Sequence, residues 1–175
     1  MKKTLISMTI FLAILVYFQY TTSCKFAFKV NYDLKMPEPE SHHVYFSGFQ
    51  DVPVFTEHKY KDTLNEKTLK QFNRFNSSND MDIVMKYLRA YLNLLSNENK
   101  EIVISNFSKD ILNENNYYFV YDKNRRFTIL IYDVKTKVLY EMIATYCYRN
   151  CPRKLIDEEN NYNIADEFII KEIEW

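Results

Sequence analysis

One glycine, Gly48 in "FSGFQ", serves a chain of 175 residues. Glycine enters left-handed backbone at no steric cost and lets a phosphate approach the main chain closely. A single glycine cannot build a P-loop, a dinucleotide fingerprint or the G-x-S-x-G elbow of hydrolases. Those classes are excluded, and the turns must be made by Asn and Asp, the other residues that tolerate left-handed backbone.

The N-terminus has a different character. Lys2 and Lys3 precede Leu5 to Phe18, an uncharged and almost wholly apolar stretch, which is the n-region and h-region of an export signal. The uncharged run continues from Thr4 to Ser23, twenty residues, enough at about 1.5 Å per residue to cross a bilayer core of about 30 Å. A cleaved signal and a retained membrane anchor both keep the lysines inside and place residues 25–175 outside. The expected organisation is a signal peptide over 1–23, an extended tether over 24–42 and a single domain over 43–175.

At the end of that run, Thr21-Thr22-Ser23-Cys24 resembles the lipobox of bacterial lipoproteins, with Thr21 standing where such proteins usually carry Leu. The resemblance covers Met1 to Cys24. It implies a diacylglyceryl lipid on Cys24 and cell-envelope attachment on the extracytoplasmic side; without the lipid, the same signal gives a secreted or periplasmic protein.

The other two cysteines, Cys147 and Cys151 in "CYRNCP", make an even pair once Cys24 is set aside. Four residues along a strand span about 13 Å, too far for a disulfide, so a bridge requires a turn, for which Asn150 and Pro152 are suitable. Two free thiols are the other reading. A C-x3-C pair alone is only half a zinc site.

Nothing in the charge balance points to a polyanion partner. The full chain has 23 basic and 23 acidic residues, and removing Lys2 and Lys3 with the signal leaves 21 against 23, so no nucleic-acid partner is expected. The Asn, Lys, Ile, Tyr and Phe content matches the codons of an AT-rich genome. The 15 tyrosines are therefore weak evidence of a contact surface when taken alone.

The three histidines, His42, His43 and His58, lie in the N-terminal third. "EPESHHVYF" sets Glu38, Glu40, His42 and His43 close together, but adjacent residues of a strand point to opposite faces. A solvated loop is expected there, with no metal site and no cofactor.

The elements read in order. Lys25 to Tyr32 alternates like a strand, and "MPEPES" is a proline-bearing tether. Val44 to Phe49 is a short strand. Thr63 and Glu66 form a capping box that opens a helix to about Phe75. Asn79 or Asp80 caps a stronger helix over Met81 to Leu95, with Val84, Leu88, Tyr91, Leu92 and Leu95 on its core face. "EIVISNFSKDIL" combines β-branched residues that favour a strand with an i, i+4 apolar spacing that a helix tolerates, and of the two the helix is expected.

A meander follows: Tyr117 to Tyr121, Phe127 to Tyr132, Val138 to Tyr148 and Phe168 to Ile173, with "DKNRR" and "DVKTK" as turns. The fold class is α+β: N-terminal helices on one face of an antiparallel meander of about four strands. Leu88 to Ile111 is similar to the opening helices of NTF2-like and cystatin-like proteins, a resemblance that implies a concave sheet around a pocket.

No catalytic residue is assigned. A non-catalytic binding or inhibitory module on the cell envelope fits the exclusions, with Tyr117, Tyr118, Tyr121, Tyr132, Tyr140, Tyr146 and Tyr148 as contact residues for a protein or envelope ligand. The alternative is a small carboxylate-dependent hydrolase or isomerase using Asp110, Asp133 and Glu141. Of these Glu141 stands out, because mid-strand burial of a carboxylate is costly unless it is paired, and Arg126 is the expected partner. Lys123 to Arg126, Arg153 and Lys154 are basic turns suited to anionic headgroups or simply to solvent. Asn76-Ser77-Ser78 and Asn106-Phe107-Ser108 are glycosylation sequons that matter only in a eukaryotic source.

Overall fold

The computed structural model describes residues 23–47, 53–123 and 126–145, and the chain divides into two compact units, Met1–Pro39 and Glu40–Trp175. In the first unit, α1 (Cys24–Tyr32) replaces the expected strand. The alternation of Phe26, Phe28 and Val30 mimics a strand, but the ends decide for helix. Ser23 is extended and its hydroxyl accepts from the Phe26 N–H at 3.2 Å, while Asp33 adopts left-handed backbone at φ 58° and donates its N–H to the Lys29 carbonyl. Phe28 and Tyr32, four apart, then meet on one side with tilted rings, centroids 5.9 Å apart, and Lys29 pairs with Asp33.

The second unit is built on a six-stranded, wholly antiparallel sheet: β1 (Ser41–Phe46), β2 (Val54–Lys59), β3 (Asn73–Arg74), β4 (Tyr117–Lys123), β5 (Arg126–Asp133) and β6 (Val138–Thr145), in the order β1-β2-β6-β5-β4-β3. Six strands replace the expected four. The sequence reading missed β2, which inserts between β1 and β6, and the short β3, which edges β4. The expected strand Phe168 to Ile173 lies outside the described residues. In β1, Val44 pairs with Thr56 and Phe46 with Phe55, so Tyr45 is the extra residue of a bulge.

Alternation gives the sheet two distinct faces. On one, Phe55, Phe127, Ile129, Ile131, Tyr140, Met142 and Ala144 form a core with the helices. There α3 (Ser78–Asn93) lies against β5 and β6, and the four-residue-spaced Val84, Leu88 and Leu92 are buried as the pattern required. Its cap is Ser77 in a capping box with Asp80, two residues earlier than expected. The helix reading of "EIVISN" holds: α4 (Asn97–Asn106) is capped by Ser96 and followed by a 3-10 turn, Lys109–Ile111.

The helix expected from Thr63 to Phe75 shrinks to the single turn α2 (Glu66–Leu69), capped by Asn65. Competing bonds shorten it. Asn65 supplies the cap in place of Thr63, and at the other end Asn73 and Arg74 are taken by β4; the Leu64 N–H, which no helix from Thr63 would pair, bonds the Tyr132 hydroxyl at 3.0 Å. This connection covers part of the second sheet face, where Tyr60 meets Tyr132 and Phe72 meets Phe119 edge-on. The β5–β6 turn leaves through Lys137 at φ 60°, the position that lacks a glycine.

Candidate functional site

The second sheet face carries the one buried histidine of the described residues. Thr56 and His58 of β2, Leu139 and Glu141 of β6, and Thr128, Leu130 and Tyr132 of β5 share this face by register. The His58 Nε2 lies 2.9 Å from Glu141 Oε2, with side-chain exposures of 5% and 14%. Glu141 is set diagonally from His58, opposite Thr56, so the pair ties β2 to β6 across the ladder.

Arg126, the partner expected for Glu141, is instead exposed at the far end of β5 opposite Thr145. The reason is register. Leu130, four residues further on, faces Glu141 across the strands. The signal that could have found His58 is the spacing of Thr56 and His58 in a strand the sequence reading missed.

His42 faces His58 across the β1–β2 pair, with ring centroids 6.3 Å apart. His43 points to the opposite face, paired with Glu57 and packed edge-on against Tyr45 at 4.4 Å. A loop was expected here; the residues are strand, and the alternation that argued against a shared metal site is present. Among the described residues no group of three or more His, Cys, Asp or Glu side chains is gathered as metal ligands.

The other carboxylates do not join Glu141. Asp133 closes the β5–β6 turn, accepting from the Lys135 N–H at 3.1 Å and the Thr136 hydroxyl at 2.6 Å. Asp110 is exposed in the 3-10 turn. Tyr118, Tyr132 and Tyr140 are buried, whereas Tyr117 and Tyr121 are half-buried; Tyr146 and Tyr148 lie outside the described residues. Tyr118 donates to Asp80 Oδ1 at 2.6 Å, and burial with that bond pushes its hydroxyl up to about 12. Tyr45 is pushed up to about 12 by burial and a bond to Glu57.

Cys24 is half-buried and is the first residue of α1. The Glu38 carboxylate accepts from the Cys24 N–H and the Lys25 N–H, each at 3.0 Å. A carboxylate at a helix N-terminus satisfies orphan donors and complements the dipole. Cys147, Cys151, Arg153 and Lys154 lie outside the described residues. Among the described residues no helix is long and apolar enough to cross a membrane.

No family model matches the chain, nor does any curated protein or solved structure.

Proposed function

We propose that the chain is an exported cell-envelope protein, lipid-anchored through Cys24, that acts outside the membrane as a binding or inhibitory module with β1 as its contact element. The observation that carries this reading is the position of β1. It stands at the edge of the sheet and pairs with β2 alone among the described strands, with Ser41, His43 and Val44 exposed. An edge strand is a ready template for an extended segment of a partner. The Tyr45 bulge limits the straight stretch to Ser41–Val44, which favours a short, specific contact over open-ended aggregation.

Two features support the Cys24 anchor. The lipobox-like residues place cleavage between Ser23 and Cys24. Glu38 would keep α1 capped after that cleavage removed the Ser23 hydroxyl. A photoreactive residue at Val44 tests the contact element, with one at Ile104, equally exposed at 45% on α4, as control. A single envelope adduct from position 44 and none from 104 is expected; adducts from both, or from neither, contradict the reading.

The His58–Glu141 pair favours a second reading, a carboxylate-dependent hydrolase or isomerase. A half-buried carboxylate held by an imidazole is an arrangement suited to moving a proton. Turnover of ester or enone substrates that Glu141→Gln abolishes without lowering stability would support it. Equal turnover by Glu141→Gln would end it.

A further inference from the structure

The two sequons are equivalent as patterns, yet the fold treats them differently. Asn76 lies between β3 and α3 and is exposed, with Ser77 extended at φ −145° and ψ 163°. Its backbone N–H donates to Asp80 Oδ2 at 3.1 Å, but its side-chain amide makes no bond among the described residues. Ser78, whose hydroxyl the acceptor pattern requires, is also exposed.

The second sequon is built into packed structure. Asn106 is half-buried in the last turn of α4, and its Nδ2 donates to the Ile102 carbonyl at 2.8 Å. Phe107 is in the core at 1% exposure, and the Ser108 hydroxyl accepts from the Asp110 N–H at 3.2 Å. An oligosaccharide on Asn106 would replace one of the two protons of an amide that bonds the Ile102 carbonyl and would crowd Phe107, which the core buries.

We propose that, in a secretory pathway that glycosylates Asn-X-Ser sequons, Asn76 is an acceptor for an N-linked oligosaccharide and Asn106 is not. The donor is a polyprenyl-pyrophosphate oligosaccharide. The Asn76 Nδ2 forms a bond to the anomeric carbon of the first sugar, the bond from that carbon to the pyrophosphate oxygen breaks, the polyprenyl pyrophosphate leaves with the electron pair, and the amide proton passes to a base of the transferase. The cell supplies donor and enzyme; the chain sets which asparagine is compatible with its fold. Asn76 follows β3 on the sheet edge opposite β1. A glycan there would cover the β3–β4 side of the sheet, away from β1.

The inference rests on the export part of the proposed function and not on the lipid at Cys24. Its test is expression of the full chain in a eukaryotic secretory cell, with glycans counted by the mass lost on peptide-N-glycosidase treatment and the acceptor mapped by the resulting Asn-to-Asp conversion. Lys61→Asn, ahead of exposed Asp62 and Thr63, creates a control acceptor in the β2–α2 connection. One glycan is expected on the unaltered chain and on Asn106→Gln, none on Asn76→Gln, and two on Lys61→Asn. No glycan on the unaltered chain with one on Lys61→Asn overturns the inference and leaves export standing. Two glycans on the unaltered chain overturn the exclusion of Asn106. No glycan on any variant overturns the inference together with the export reading.

Discussion

Glu141 occupies the position that most tests the physics of this fold. A carboxylate in the middle of a sheet loses hydration, and what compensates here is the imidazole of His58 at 2.9 Å. Truncating one member removes that bond from the other, so Glu141→Leu or His58→Leu alone is expected to cost about 1–3 kcal/mol in denaturant unfolding. The double substitution should cost less than the sum, with a coupling of roughly 0.5–3 kcal/mol. Strict additivity would show that the pair contributes no mutual stabilisation. Lys137 offers the opposite sign. A side chain at φ 60° carries left-handed strain of about 1–2 kcal/mol that glycine lacks, so Lys137→Gly should raise the unfolding midpoint, less whatever is lost with its bond to the Lys61 carbonyl. At this scale the need for a partner at Glu141 was legible in the sequence. The identity of that partner was not, because it depends on a register between strands 83 residues apart in the chain.

The elements were legible in proportion to how local their causes are. α3 was read as a helix because its apolar period sits within the segment, although its cap is Ser77 and not Asn79 or Asp80; α4 was legible only as helix or strand, and its cap, Ser96, was not read. β2 was missed because both its faces are mixed. Phe55 alternates with Thr56, and buried His58 follows exposed-type Glu57, so no period-2 apolar stripe exists; the strand forms because β6 supplies ladder bonds and Glu141 supplies the partner for His58. α2 failed for the converse reason, a local capping signal overridden by the Asn65 cap and by β4. The Ser77–Asp80 box makes two predictions. Ser77→Ala should lower stability by about 1 kcal/mol. Asp80 is held below its usual value of 3.8 by bonds from Tyr118 and Ser77. A folded value below the unfolded one means stability fully present above pH 3.8 and lost as pH falls through the folded value. Asp80→Asn should therefore flatten the acid limb of the stability profile; an unchanged limb would assign acid unfolding to other carboxylates.

At the scale of the molecule, the α+β class was legible because helices precede a meander in the chain, whereas strand number and order were not. The sheet order β1-β2-β6-β5-β4-β3 brings the N-terminal hairpin against the last described strand, a long-range closure that no window of sequence encodes. That closure puts β1 of the proposed binding module at the edge of the described strands. The address of the chain rests on different residues, the lysines and uncharged run before Cys24, and on Glu38 as the group that keeps α1 capped from Cys24 onward. The most direct test is the mass of the mature N-terminus from membranes of cells that make the full chain. The account predicts a chain that begins at Cys24 and carries a diacylglyceryl group. A chain that retains Met1 or Lys2, or begins at an unmodified Cys24 or Lys25, would contradict it.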